Sequence, residues 1–330
     1  MQRSLVGSEM CIRDRLVPAP TVNSISCEFA KPGSEVTLIG DYFIDDPNVP
    51  LTITMAGNVE VTNITNITKT AVSFILPDNA PAGYINVKSI YGTGRSKFRY
   101  YDTRNILFDW DGSHGGMAIA HGWRDGSKVL READENSIDG AYICLTGALD
   151  GAIGATWAED EFSVNYWPEP SAGYPELSAR PEFAELLEEY GVNGLQLKFE
   201  VNIPSSNPWQ SCALQVMFTG NDVVTYATGT NAYFSDTNVP RGLWLPWKNT
   251  GSYDTGGKWT TVSMNLSEFN KTHEGNKCDR TFDKTMLTGL TFFVWAGGVE
   301  GKDCNPVIMI DNIRVVPVSY THLRAHETTL

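Results

Sequence analysis

Between Pro18 and Tyr101 apolar and polar residues alternate with a period of two in short runs, EVTLIG, LTITMAG, AVSFILP and YINVKSIYG. Gly, Pro, Asn and Asp separate these runs at short intervals. That pattern predicts strands joined by turns, packed as a small β-sandwich over residues 16–102. A short polar join, YDTRN, leads to ILFDWDG, which opens a second strand-rich unit over residues 103–318. Its predicted strands are AYICLTG, LQLKFEVNIP, ALQVMFTG, WTTVSMNL, LTFFVWAG and VIMIDNIRVV. In LQLKFEV, Leu195, Leu197, Phe199 and Val201 share one face, and Gln196, Lys198 and Glu200 the other, which predicts a strand buried on one side only. One helix stands out. Pro181 suits its first turn, Phe183, Leu186, Leu187 and Tyr190 fall at helical spacing, and Gly191 supplies the stop. Its Glu182, Glu185, Glu188 and Glu189 read as a solvated face. The fold class expected is all-β, two sandwiches with one short helix.

Composition narrows what such a chain does. The 330 residues exceed one ordinary hydrophobic core, which agrees with two domains. The net charge is −14 with no Lys/Arg block, so nucleic acid and anionic lipid are unsuitable partners. No apolar run reaches the roughly 18 residues of a spanning helix. The ends, residues 1–15 and 319–330, have no usable hydrophobic period and resemble peptides translated from sequencing adapters. Both are set aside as artefacts, along with Cys11, His322 and His326. A native start lost in this way leaves the absence of a signal peptide uninformative. Cys27, Cys144, Cys212, Cys278 and Cys304 remain, an odd number without CxxC spacing, so neither a disulfide framework nor zinc is indicated. Cys144 and Cys212 sit in apolar runs and read as buried thiols, while Cys278 and Cys304 flank LTGLTFFVW and form a candidate bridge.

All nine tryptophans lie in the second unit. Trp110, Trp157, Trp259 and Trp295 sit in or beside strand patterns and are expected in the core. Trp167, Trp209, Trp244 and Trp247 lie in the Pro-, Gly- and Asn-rich connections NYWPEPSAGYP, PSSNPWQS and PRGLWLPWKNTGSYDTGG. Connections run over surfaces, so these four rings are expected near solvent. A rigid flat ring suits the apolar face of a pyranose, whose hydroxyl rim is hydrogen-bonded by neighbouring polar groups.

Catalytic motifs are lacking: there is no nucleophile elbow, P-loop, HExxH or dinucleotide fingerprint in context. GTGRS at 92–96 reads as a turn, and His114 and His121 as structural histidines. The carboxylates Glu159, Asp160 and Glu161 in WAEDEF leave a glycosidase with aromatic subsites as the rival function. A protein-binding surface adhesin is the other. No metal ligand set is expected, although Asp311 in IDNIRVV is a candidate neighbour of a structural Ca²⁺.

Two resemblances sharpen this reading. PTVNSIS, AKPGSEVTLIGDYF and FILPDNAPAGYINVKSIYGTG resemble an IPT/TIG immunoglobulin-like domain, a common spacer. NYWPEP, RPEFAELLEEYG, LQLKFEVNIPSSNPWQSCALQVMFTG, PRGLWLPW, GSYDTGGKWTTVSMNLSEF and IDNIRVVP resemble the C-terminal glycan-binding domain of the surface glycan-binding protein B family. The second resemblance spans nearly all of residues 105–318 and implies a carbohydrate-binding-module-like β-sandwich. The function it implies is non-catalytic binding of a polysaccharide by a cell-surface lipoprotein of the outer membrane, within a polysaccharide-utilisation system. The implied partners are a TonB-dependent transporter and a companion glycan-binding lipoprotein; anchor and signal are missing from the chain. It places stacking rings at Tyr166, Trp167, Trp209 and Trp247. Trp244 is added as a loop ring, and Asn207, Gln210 and Arg241 as hydrogen-bond partners.

Overall fold

The computed structural model describes residues 17–122, 126–152, 162–220, 224–225, 230–231 and 239–318; Trp157, Glu159, Asp160 and Glu161 lie outside them. The chain is mostly β-sheet with a single α-helix among the described residues. The first unit contains β1 (Thr21–Ile25), β2 (Glu35–Asp41), β3 (Thr52–Thr54), β4 (Ile64–Ile67), β5 (Ala71–Ile75), β6 (Asn86–Ser89) and β7 (Gly92–Arg95). They form two sheets, β1-β2-β5-β4 and β3-β6-β7, with antiparallel pairing throughout. Alternation sets what each strand buries. Val36 and Leu38 of β2 and Val72 and Phe74 of β5 point inward and meet Ile53 and Val87 of the opposite sheet in one apolar cluster.

The second unit contains β8 (Ile106–Phe108), β9 (Leu130–Arg131), β10 (Tyr142–Thr146), β11 (Ser163–Tyr166), α1 (Pro181–Tyr190), β12 (Leu195–Asn202) and β13 (Ala213–Thr219). These are followed by β14 (Val224–Thr225), β15 (Thr230–Asn231), β16 (Gly242–Trp244), β17 (Thr260–Asn265), β18 (Gly289–Trp295) and β19 (Val307–Pro317). One sheet runs β17-β12-β19-β10-β9 with β8 also on β19; the other runs β11-β18-β13-β16. Their inner faces interdigitate, Phe199, Val201 and Ile310 against Leu214, Val216 and Phe292. Helix α1 lays Phe183 into the core and stops at Gly191, whose φ of +63° disfavours any residue with a Cβ.

Strand β12 departs from expectation. Its apolar face is buried, but so are Lys198 (7%) and Glu200 (0%) on the face predicted to be solvated. The first unit covers that face. Glu28 of the first unit pairs with Lys198 Nζ and, at 2.8 Å, with Arg314 Nη2; Glu200 Oε2 takes Arg314 Nη1 at 2.7 Å. Thr261 joins the cluster, accepting the Glu28 N–H at 2.7 Å and donating to Glu200 Oε1 at 2.8 Å. Two carboxylates stand against two cations, each making at least one charge-assisted hydrogen bond, the condition under which buried charge is tolerated.

A bulge aims Arg314 there. On β19, Ile308 and Ile310 face the core, and so do Ile313 and Val315; the inward set shifts by one residue across Asp311 and Asn312. Asn312 absorbs the extra residue at φ +50°, a conformation its residue type tolerates. The five described cysteines are all buried, and Cys278 and Cys304 form no bridge with each other.

Candidate functional site

The sheet β11-β18-β13-β16 has an unusual outer face. Its inward residues are apolar: Val164 and Tyr166, Leu214, Val216 and Phe218, Leu290, Phe292 and Val294. By alternation the outward residues are Ser163, Asn165, Gln215, Met217, Thr291, Phe293 and Trp295. Ser163 lies opposite Phe293 and Asn165 opposite Thr291 in one pairing, Gln215 opposite Phe293 and Met217 opposite Thr291 in the next. Most outer faces of sandwiches are solvated, yet Ser163, Gln215, Met217, Thr291 and Phe293 are fully buried. Part of the cover is a strap of described residues. His121 O accepts the Trp167 N–H, and a Cβ on Gly122 would meet Asn165 and the Trp167 ring. On the far side Gln215 Nε2 donates to Trp295 O at 2.7 Å and to His273 O at 3.2 Å, while its Oε1 accepts from Arg241 Nη1 at 2.8 Å.

Two flat ring pairs reach the surface at the ends of this sheet. Trp295, half-buried, is stacked on His273 with centroids 4.9 Å apart and planes 9° from parallel, and Phe293 continues the row at 6.3 Å. Burial, helped by the Arg241 charge, holds the His273 pKa below the usual imidazole value, so its ring is neutral at neutral pH. At the other end His121 stacks on the half-buried Tyr174, 3.6 Å and 6°, and its Nε2 lies 3.1 Å from Glu169 Oε2. Trp295 and the Tyr166 row are five residues apart along β18, about 17 Å at roughly 3.4 Å per residue.

The residues singled out from sequence are placed differently. Tyr166 (1%), Trp167 (1%), Trp209 (0%), Trp247 (2%) and Arg241 (0%) are buried, which corrects the expectation that loop rings face solvent. The reason is local: PSSNPWQS and LWLPWKNT fold back over the open end of the sandwich. Trp209 Nε1 donates to Ser211 O, and Trp247 Nε1 donates to Cys212 O at 2.8 Å. Trp244 is half-buried but meets Phe199, Trp209 and Tyr253 edge to face, which engages its ring within the protein. Asn207 and Gln210 are half-buried beside Trp209, and Asn207 Nδ2 already donates to Asn305 O at 3.1 Å. Tyr166 and Trp167 belong to the β11 edge, Trp244 and Trp247 to the β16 edge, so these candidates do not converge on one site.

Residues 100–317 match the family described as Surface glycan-binding protein B xyloglucan binding domain. The chain belongs to the surface glycan-binding protein B family. It is similar to an IPT/TIG domain-containing protein of Bacteroides ovatus, 30% identical over 306 residues, covering 91% of this chain and 53% of that protein. It thus spans about half the length of the curated relative it matches. The crystal structure of surface glycan-binding protein PbSGBP-B from Prevotella bryantii is 31% identical with a TM-score of 0.78, over 91% of this chain and 77% of that one. A structure determined with xylogluco-oligosaccharide shares the fold at 21% identity and TM-score 0.53, over 91% of this chain and 58% of that one. Glycan-binding proteins of this kind are not enzymes, which removes the glycosidase alternative.

Within this member of the glycan-binding family, the accessible rings are ones the sequence reading assigned elsewhere. Trp295 ends a strand pattern that predicts a core position, and Tyr174 lies in the connection NYWPEPSAGYP with no signal that sets it apart. The usable signal was alternation in LTFFVWAG, which sets Phe293 and Trp295 against the inward Phe292 and Val294. Trp110 is buried as expected, whereas Trp259 is half-buried, its Nε1 donating to Asn136 O at 2.7 Å. Asp311, the candidate Ca²⁺ neighbour, is fully buried against Asp139. Burial and the neighbouring carboxylate push the Asp311 pKa well above the usual range, and burial raises Asp139 as well. Asn312 Nδ2 donates to Asp139, 3.2 Å from Oδ2, and among the described residues no group of three His, Cys, Asp or Glu side chains is arranged to hold a metal.

Proposed function

We propose that this chain binds a neutral polysaccharide of the xyloglucan class without cleaving it, at the half-buried rings that reach the surface at the ends of the outer face of the β11-β18-β13-β16 sheet. The observation that carries the reading is the Trp295–His273 pair, stacked with centroids 4.9 Å apart and half-buried at the end of this sheet, held from beneath by the buried Gln215. A ring already fixed by stacking loses little conformational freedom when a sugar packs against it. Family membership over residues 100–317 supports the ligand class. Tyr174, fixed on His121, is the second ring. In this reading the first unit is a spacer, and the protein works at the cell surface as an outer-membrane lipoprotein that passes glycan to a TonB-dependent transporter alongside a companion lipoprotein.

The test is titration of xyloglucan into the Trp295→Ala variant. Loss of one stacked ring should weaken binding by about 1–3 kcal/mol, by analogy with bases stacked on aromatic side chains. The same substitution at Tyr174 should weaken it less, since a phenol offers a smaller face. Undiminished affinity in both variants would move the site away from this face.

A further inference from the structure

A cleft of about 690 Å³ lies between the two units, on the side away from the sheet face just described, and nothing in the proposed site uses it. One wall comes from the first unit and the join and is basic: Arg95, Lys97, Arg99 and Arg104. The facing wall is the exposed side of α1 and is acidic: Glu182, Glu185 and Glu189. Among the described residues no ion pair crosses from one wall to the other; Arg104 is taken instead by Asp102, at 2.7 Å, and Arg95 lies over the Tyr84 ring at 3.6 Å. A second lobe of about 360 Å³ shares Glu28, Lys97, Phe98, Gln196 and Lys198 with the first, so the cleft continues as a groove.

The chemistry of this groove selects its occupant. Its volume is that of a small-ligand site. An anion would face three glutamates and a cation four basic side chains. A neutral polyol satisfies both walls at once, because each hydroxyl accepts from a guanidinium or ammonium and donates to a carboxylate. Tyr84, Leu186 and Tyr190 add apolar surface. The continuation past Lys97 and Gln196 suits a chain of sugars rather than one. The floor of the groove includes Glu28 and Lys198, members of the buried ion cluster that joins the units.

We propose that this inter-unit groove is a second subsite for the same neutral glycan, holding a short stretch of chain between the basic wall and α1. The proposal rests on the glycan-binding reading above. Its test uses the whole chain, calorimetry with xyloglucan oligosaccharides, and hydrogen–deuterium exchange along α1 and residues 95–99. Four proteins are compared: the unaltered chain, Trp295→Ala with Tyr174→Ala, a groove variant combining Lys97→Ala, Glu185→Gln and Glu189→Gln, and all five changes together. The groove changes are at solvent-facing or half-buried positions, and unchanged melting verifies the fold. The expected result is residual binding in the double variant with protection of α1, weakened at least tenfold by adding the groove changes. Binding lost entirely in the double variant, or binding without protection of α1, overturns the groove while leaving the sheet face intact. If no oligosaccharide binds the unaltered chain, the glycan reading fails and the groove with it.

Discussion

At the scale of single residues, burial rather than loop membership decides what a tryptophan does here. Trp209 has no exposed surface and its neighbour Trp244 leans on it edge-on, so Trp209→Ala should cost about 3–5 kcal/mol of stability, read by denaturant unfolding, and act on binding only through the fold. Asp311 gives the opposite sign. Its raised pKa means the folded chain keeps a proton that the unfolded chain releases, so stability is greatest below the ordinary carboxylate value and falls as pH rises above it. Asp311→Asn should therefore raise the melting temperature at neutral pH and flatten its pH dependence; a lower melting temperature would mean that the carboxylate is stabilising when charged. Burial pushes the Cys212 thiol up to about 11, so mass spectrometry after treatment with a thiol reagent at pH 7 should find it unmodified. Sequence pattern ranks Trp209 and Trp295 the wrong way round, because Trp209 sits in a polar connection and Trp295 ends an apolar strand run, and only the tertiary closure of the sandwich decides which is covered.

Among the elements, the strands were legible and their second faces were not. Alternation placed β12, β13, β18 and β19 and the limits of α1 followed from Pro181 and Gly191, since local periodicity carries that information. What alternation omits is cover. Lys198 and Glu200 look solvent-bound in LQLKFEV, and only a partner 170 residues away, Glu28, explains why they are buried. The bulge in β19 is a further case, because IDNIRVV reads as a continuous strand although the inward set slips at Asp311 and Asn312. Asn312→Val should destabilise the chain by about 1–3 kcal/mol, since a β-branched residue resists φ +50° and the hydrogen bond to Asp139 is lost. Asn312→Gly should be milder, and unfolding curves of the two variants would rank them; equal effects would remove backbone strain as the cause.

For the molecule as a whole, the buried cluster of Glu28, Lys198, Glu200 and Arg314 links the two sandwiches. Glu28→Ala leaves Arg314 with one fewer carboxylate in a site of no solvent access and should cost about 3–5 kcal/mol. Two separated unfolding transitions in that variant, where the parent shows one, would be the accompanying sign of uncoupled units. The binding chemistry proposed is contact with neutral sugar, in which the overall charge of −14 plays little part. The most direct measurement is affinity electrophoresis of the chain through gels containing xyloglucan, at low and high salt, with the polymer's size checked afterwards. The account predicts retardation that salt leaves unchanged and a polymer of undiminished length. Free migration, retardation abolished by salt, or a shortened polymer would each contradict it.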